Sequence, residues 1–154
     1  LPKAEAGDAD AQNRIGEMYE FGQGVERDLN LALQWFNKAS QNGSLAGLHN
    51  LARSYNFGSG TVQNFAQAEQ LYLQAAEAGY TESMFFLGTL YATGNGSDLS
   101  VNPDITAYGW MKAAANAGST TAQTIEARLL MKLSETEQSE AKALAEKLSK
   151  QYIK

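Results

Sequence analysis

NGSLAGLHNLARSYNFGSGTVQNFAQAEQLYLQAAEAG, residues 42–79, contains two helix patterns separated by a glycine corner. The first pattern covers residues 45–57 and the second covers residues 65–78, because apolar residues recur in both at intervals of three or four. The corner at residues 58–60 reads Gly-Ser-Gly, and glycine readily adopts the left-handed conformation that ends a helix. This stretch therefore predicts a pair of helices joined by a tight corner.

The same unit recurs on both sides of this stretch. The glycine that ends each unit falls at Gly7, Gly43, Gly79 and Gly118, so the spacings are 36, 36 and 39 residues. Each of the first three units has a small residue, an aromatic residue three positions later, and then a corner with two glycines. Those positions are Gly16, Ala52 and Gly88; Tyr19, Tyr55 and Tyr91; and Gly22 with Gly24, Gly58 with Gly60, and Gly94 with Gly96. We therefore expect repeats at about 7–42, 43–78, 79–117 and 118–154, the last degenerate with a capping helix at 134–153.

The motif in these units resembles the Sel1-like repeat, a relative of the tetratricopeptide repeat. In the first unit it is carried by Ile15-Gly16, Tyr19, Gly22, Gly24-Val25, Asp28, Ala32, Trp35 and Ala39. The second unit departs from it at Ala52, Thr61 and Leu71. The resemblance implies an all-α fold, a right-handed superhelical α-solenoid of antiparallel helix pairs that forms a single domain over residues 1–154. It also implies an adaptor or scaffold role, since such repeats resemble modules used in secretion, signalling, motility and protein quality control.

Recurring apolar and polar positions predict the core and the helix starts. Aromatic residues that recur with the repeat are expected in the core, namely Tyr19, Tyr55, Tyr91, Trp35 and Trp110. Short polar residues before the helices are expected to be N-caps, namely Asp8 or Asp10, Asp28, Asn64 and Asp104, with a capping box at Ser134 and Glu137. An insertion at residues 97–103 lengthens the third unit. It predicts either a surface loop or a local binding loop.

Composition excludes several classes of function. The net charge of −5 argues against nucleic-acid binding, and no apolar run is long enough to span a membrane. The absence of cysteine excludes disulfides, thiolate zinc sites and thiol nucleophiles. The chain begins with Leu1, which predicts a processed or truncated N-terminus, whereas the capping helix predicts a genuine C-terminus. Zero cysteine fits the cytosol and the periplasm equally, and the expectation is a bacterial periplasmic or secreted protein after removal of an N-terminal signal.

Catalytic chemistry has little support in the sequence. His49 is the only histidine, and no nucleophile motif accompanies it. A metal site would have to combine this one imidazole with carboxylates. The sequence therefore predicts a protein that is not an enzyme, with no catalytic residues, no metal and no cofactor.

Binding is the leading hypothesis, because the first helices of such repeats line a concave groove in tetratricopeptide-like folds. The candidate groove residues are Asn13, Glu17, Glu20, His49, Arg53, Asn56, Phe85, Thr89, Thr124 and Arg128. Phe85 is apolar where its counterparts in the other units are polar, and arginines near an aromatic residue are typical of interface hot spots. We expect a protein or peptide partner that is extended or helical and presents a carboxylate. The alternative is that Phe85 belongs to the core and the arginines are held by Glu17 or Glu20.

Two further functions remain open at this point. The chain could be a structural segment of a larger solenoid or a homo-oligomer that associates through its exposed N-terminal end. It could also be a hydrolase that acts on cell-wall material or a small-molecule substrate, with His49 as the residue on which a histidine-based mechanism depends.

Overall fold

The computed structural model describes residues 2–97 and 102–153, and every regular element in these two stretches is an α-helix. The helices are α1 (Pro2–Glu5), α2 (Ala9–Phe21), α3 (Leu29–Gln41), α4 (Leu45–Phe57), α5 (Phe65–Glu77), α6 (Thr81–Ala92), α7 (Pro103–Asn116), α8 (Thr120–Met131) and α9 (Glu135–Tyr152). The prediction of an all-α fold is confirmed. Residues 98–101 of the predicted insertion lie outside the described residues, so the role of the insertion stays a prediction.

The chain forms two compact units, residues 1–71 and residues 72–154, and the boundary falls within α5. In the first unit α2 packs on α3, and α3 packs on α4. Gly22 and Gly58 end α2 and α4 with a φ of 68°, as the glycine corners predict. Gly60 lies against the backbone of Leu29, where a Cβ atom would collide with the carbonyl oxygen. The second glycine of this corner therefore permits a close approach to the start of α3.

In the second unit α7 contacts α6, α8 and α9. Gly88 allows α6 to approach α7, because a Cβ there would lie 3.2 Å from the carbonyl oxygen of Ala107 and 3.0 Å from Cε of Met111. At the end of α9, the Tyr152 ring stacks on Trp110 with ring centroids 5.9 Å apart, and its hydroxyl donates to Glu77 at 2.8 Å. The terminal helix is thereby held through both the ring and the hydroxyl of one tyrosine side chain.

Most of the predicted helix caps are confirmed. Asp8, Asp28 and Asn64 each accept a backbone N–H three residues later, and Ser134 and Glu137 form the reciprocal capping box of α9. The prediction for Asp104 is wrong. The N-cap of α7 is Asn102, which accepts the N–H of Asp104 at 3.0 Å, while Pro103 occupies the first helical position. Proline favours that position because its φ is already helical and its missing N–H needs no partner there.

The recurring aromatic residues differ in how deeply they are buried. Tyr91 and Trp110 are buried, as core residues should be. Tyr19, Tyr55 and Trp35 are only half-buried, and the ammonium of Lys38 lies 4.7 Å from the centroid of the Trp35 ring. Tyrosine and tryptophan carry a polar atom on a large apolar ring, so a partly exposed edge costs them little. The repeat pattern identified the position of these rings but not their degree of burial.

None of the described helices combines the length and apolar character needed to cross a bilayer.

Candidate binding site

The six candidate residues of the first unit all lie on α2 and α4, where a buried hydrogen-bond chain joins the two helices. The Asn50 amide donates to Oδ1 of Asn13 at 2.9 Å, and the Asn13 amide donates to Oε1 of Glu17 at 2.7 Å. Asn13 is 6% exposed. Because buried polar groups must find partners, these side chains fix the two helices against each other. Asn50, which the sequence pattern did not single out, is the link between them.

Arg53 on α4 forms an ion pair with Glu20 on α2, with Nη2 and Oε1 2.5 Å apart. The arginine side chain is 29% exposed and the glutamate side chain is 13% exposed, so the pair lies at the edge of the packed surface. This is the alternative arrangement considered for the arginine, in which a glutamate of the preceding repeat holds it. A partner that presents a carboxylate to Arg53 would have to compete with Glu20. Asn56 lies one turn further along α4 and is half-buried.

His49 is 3% exposed, and burial, with a smaller contribution from the positive charge of Arg53, lowers its pKa to about 4. The imidazole is therefore neutral at neutral pH and buried from solvent. A general base must reach the proton that it removes, and this side chain cannot reach a substrate on the surface. Within residues 2–97 and 102–153, no group of histidine, cysteine, aspartate or glutamate side chains is arranged to hold a metal ion.

The four candidate residues of the second unit lie on α6 and α8. Phe85 is half-buried and contacts Phe86 edge to face, with ring centroids 5.8 Å apart. Thr89 is exposed, and its hydroxyl donates to the carbonyl oxygen of Phe85 at 3.0 Å. Thr124 and Arg128 are exposed on α8. Phe85 is thus packed against one neighbouring ring while part of its side chain stays exposed.

Phe85 borders a cavity of about 480 Å³ between the starts of α6 and α8. The cavity is lined by Thr81, Glu82, Phe85, Phe86 and residues 117–121. Thr89, Thr124 and Arg128 are not among its lining residues. The sequence interpretation missed the threonines at the helix starts, although Thr81 and Thr120 occupy the same position in consecutive repeats. That coincidence is the signal that could have found them.

Exposed phenylalanines recur at the C-terminal ends of the first helices. Phe21 ends α2 and is 58% exposed, and Phe57 ends α4, one repeat later, and is 61% exposed. Both positions belong to the non-core face of their helices by sequence spacing. Burying these side chains against another molecule would remove apolar area from water.

Comparison with known proteins agrees with the helical repeat architecture of the chain. The Sel1 repeat family model matches residues 9–44, 45–80 and 81–119. A Sel1 repeat protein from Oxalobacter formigenes is 26% identical, with a TM-score of 0.71 over 82% of this chain and 93% of that one. A protective antigen of uropathogenic Escherichia coli that displays an SLR fold is 22% identical, with a TM-score of 0.73 over 97% of this chain. This chain spans only 39% of the antigen's length. No curated protein sequence matches the chain.

The predicted fold class, an α-solenoid of helix pairs, is confirmed by the family match and by both solved structures. The division into four repeats within one domain, and the assignment of the ten candidate residues to a binding groove, stay predictions.

Proposed function

The chain belongs to the Sel1 repeat family, and we propose that it is a non-catalytic module that binds a peptide segment of a partner protein on the open faces of its first helices. Sel1 repeats are generally protein–protein interaction modules. The specific proposal concerns which residues make the contact. In the second unit the contact centres on Phe85, and in the first unit it lies along α2 and α4.

The observation that carries the proposal is the partly exposed side chain of Phe85 beside the 480 Å³ cavity. An aromatic ring already packed against Phe86 loses little conformational freedom when it binds, which favours affinity. Threonine hydroxyls and backbone groups at the starts of α6 and α8 supply polar contacts around this apolar centre. A central aromatic residue within a polar surround is the usual composition of an interface hot spot.

The first unit offers a second contact region of different chemistry. Its buried asparagines hold α2 and α4 rigidly together, and the Arg53–Glu20 pair lies at the edge of the packed surface. The exposed rings of Phe21 and Phe57 provide the apolar area. We expect these rings to contribute most of the affinity here, because burying them removes apolar area from water, whereas the Arg53 guanidinium is already paired with Glu20.

Selection from a phage-displayed random peptide library tests the proposal. Selected peptides are then measured against wild type, Phe85→Ala, Phe85→Leu and Val62→Ala by isothermal titration calorimetry. Val62 is 84% exposed in the segment between α4 and α5, so Val62→Ala removes exposed apolar area outside the first helices. Loss of a hot-spot ring should weaken binding by about tenfold or more, with partial recovery in Phe85→Leu, while Val62→Ala should bind like wild type.

Three results of this experiment would contradict the proposal. If no peptide is selected, or if Phe85→Ala binds as tightly as wild type while retaining its helical circular dichroism and thermal melt, Phe85 is not the anchor. Equal weakening by Phe85→Ala and Val62→Ala would indicate that exposed apolar area acts without a defined site.

A further inference from the structure

A second cavity in the unit of residues 72–154 lies away from the first helices, between α7 and α9. Its volume is about 400 Å³. Tyr108, Lys112 and Asn116 line it from α7, and their spacing of four residues places them on one face of that helix. Lys142, Ser149 and Lys150 are among the residues that line it from α9. Three of the eight lysines in an acidic chain therefore surround one cavity.

The ion pairs around this cavity leave positive charge available. Lys112 pairs with Glu126 of α8 at 3.3 Å, and its side chain is 37% exposed. Lys150 pairs with Glu146 at 2.9 Å, and both of these side chains are largely exposed, so a ligand could displace the pair at little cost. Lys142 is exposed and has no ion-pair partner among the described residues. Three ammonium groups against two carboxylates leave one uncompensated positive charge.

Neutral hydrogen-bond donors complete the lining. Burial, and to a lesser degree the negative charge of Glu126, raises the pKa of Tyr108, so its phenol remains protonated and able to donate. The Asn116 amide donates to the Ser149 hydroxyl at 3.0 Å, which ties α7 to α9 across the cavity. An ammonium group has three N–H donors, and Lys112 uses one of them on Glu126, so it retains donors for a ligand.

From this arrangement we infer that the α7–α9 cavity binds the carboxylate side chains of an acidic segment in a partner protein. A carboxylate is a singly charged acceptor, and it matches one uncompensated positive charge flanked by N–H and O–H donors. Glu126 and Glu146 disfavour a phosphate group, which carries nearly two negative charges at neutral pH. The net charge of −5 argues against a nucleic acid, which normally needs a clustered basic surface.

The inference does not depend on the peptide site at Phe85. The two cavities share no lining residue, since the first lies at the starts of α6 and α8 and the second between α7 and α9. A chain with both sites could hold one partner through an apolar contact and another through an ionic contact, or one partner through both.

Fluorescence anisotropy with a labelled hexaglutamate peptide tests the inference, with hexaglutamine as the uncharged control peptide. The key variant is Lys142→Glu/Lys150→Glu, and the control outside the cavity is Lys147→Glu, which changes the net charge as much as the double alanine variant below. Lys147 is exposed on the same helix but does not line the cavity, so its reversal changes net charge without changing the site. Lys142→Ala/Lys150→Ala serves as a second variant, because the glutamates would repel Glu146 within the helix.

We expect hexaglutamate to bind wild type and Lys147→Glu with similar affinity, and hexaglutamine to bind neither. Charge reversal at Lys142 and Lys150 should weaken hexaglutamate binding by about tenfold, since each exposed charge contact contributes up to about fivefold. Raising the salt concentration should weaken hexaglutamate binding to wild type. Equal weakening by Lys147→Glu, or no binding to wild type, would overturn the inference. Displacement of the peptide by inorganic phosphate at concentrations where acetate has no effect would assign the cavity to phosphate and also overturn it.

Discussion

Replacing Gly16 with alanine tests how the first helix pair packs. Gly16 lies in the middle of α2, where glycine lowers helix stability, so an isolated helix would gain about 1 kcal/mol from the substitution. In the folded chain, however, a Cβ at this position would lie 2.5 Å from Cε1 and 2.6 Å from Cδ1 of Phe36. Carbon atoms in contact normally stay about 3.5–4.0 Å apart, so the added methyl group overlaps the ring by about 1 Å.

The overlap cannot be relieved cheaply, because Phe36 is fully buried and its ring has no free space to enter. Inserting a methyl group into a packed core costs about 1–3 kcal/mol. Subtracting the helix-propensity gain leaves a net destabilisation of up to about 2 kcal/mol, with about 1 kcal/mol as the central expectation. For a chain of this length that corresponds to a fall in melting temperature of about 2–4 °C.

Urea unfolding followed by circular dichroism measures this change, and a double-mutant cycle identifies its cause. Phe36→Leu alone should lower the free energy of unfolding by about 1 kcal/mol. The double variant Gly16→Ala/Phe36→Leu should lose less stability than the sum of the two single variants, because the smaller side chain makes room for the methyl group. A Gly16→Ala variant that is more stable than wild type by the full propensity gain would refute the reasoning. So would strict additivity of the two substitutions.

Two further outcomes follow from buried polar side chains of α2 and α4. Because the pKa of His49 is lowered in the folded state, the unfolded chain takes up a proton at this residue first as pH falls below 6.5. This residue should therefore lower the free energy of unfolding by about 2 kcal/mol between pH 7 and pH 4.5. His49→Gln should abolish this part of the pH dependence, as urea unfolding at the two pH values would show. Asn50→Ala leaves the buried side-chain oxygen of Asn13 without its donor and should lower the free energy of unfolding by about 1–3 kcal/mol, measured by urea unfolding. Adding Asn13→Ala to this variant should lower the free energy of unfolding by less than the first substitution did, because that oxygen is then absent.

Helix boundaries and caps were largely predictable because they depend on residues close together in sequence. The pattern places α4 at residues 45–57, and the structure has Leu45–Phe57. The capping box of α9 was recognised from a four-residue motif. The error at Asp104 arose where the insertion broke the repeat, so that alignment with Asp28 and Asn64 no longer indicated which residue precedes the helix.

The candidate site was less predictable, because burial of a polar side chain depends on its neighbours from other helices. Helical spacing alone placed Asn13 and His49 on the non-core face, yet both side chains are buried. Pairing of Arg53 with Glu20 was foreseen only as an alternative. For Phe85, the sequence left the groove and the core open as alternatives, and the structure has its side chain half-buried.

The repeat motif alone identifies this chain as a series of glycine-cornered helix pairs of the Sel1 type, because periodicity, caps and corners are encoded within each unit of about 36 residues. Tertiary structure decided which polar groups are buried together and which charged groups surround a cavity. Lys112 and Lys142 are separated by a whole helix in sequence, and only the packing of α9 on α7 brings them to one cavity. Contacts between residues that are distant in the chain leave no periodic trace, so no local pattern could reveal them.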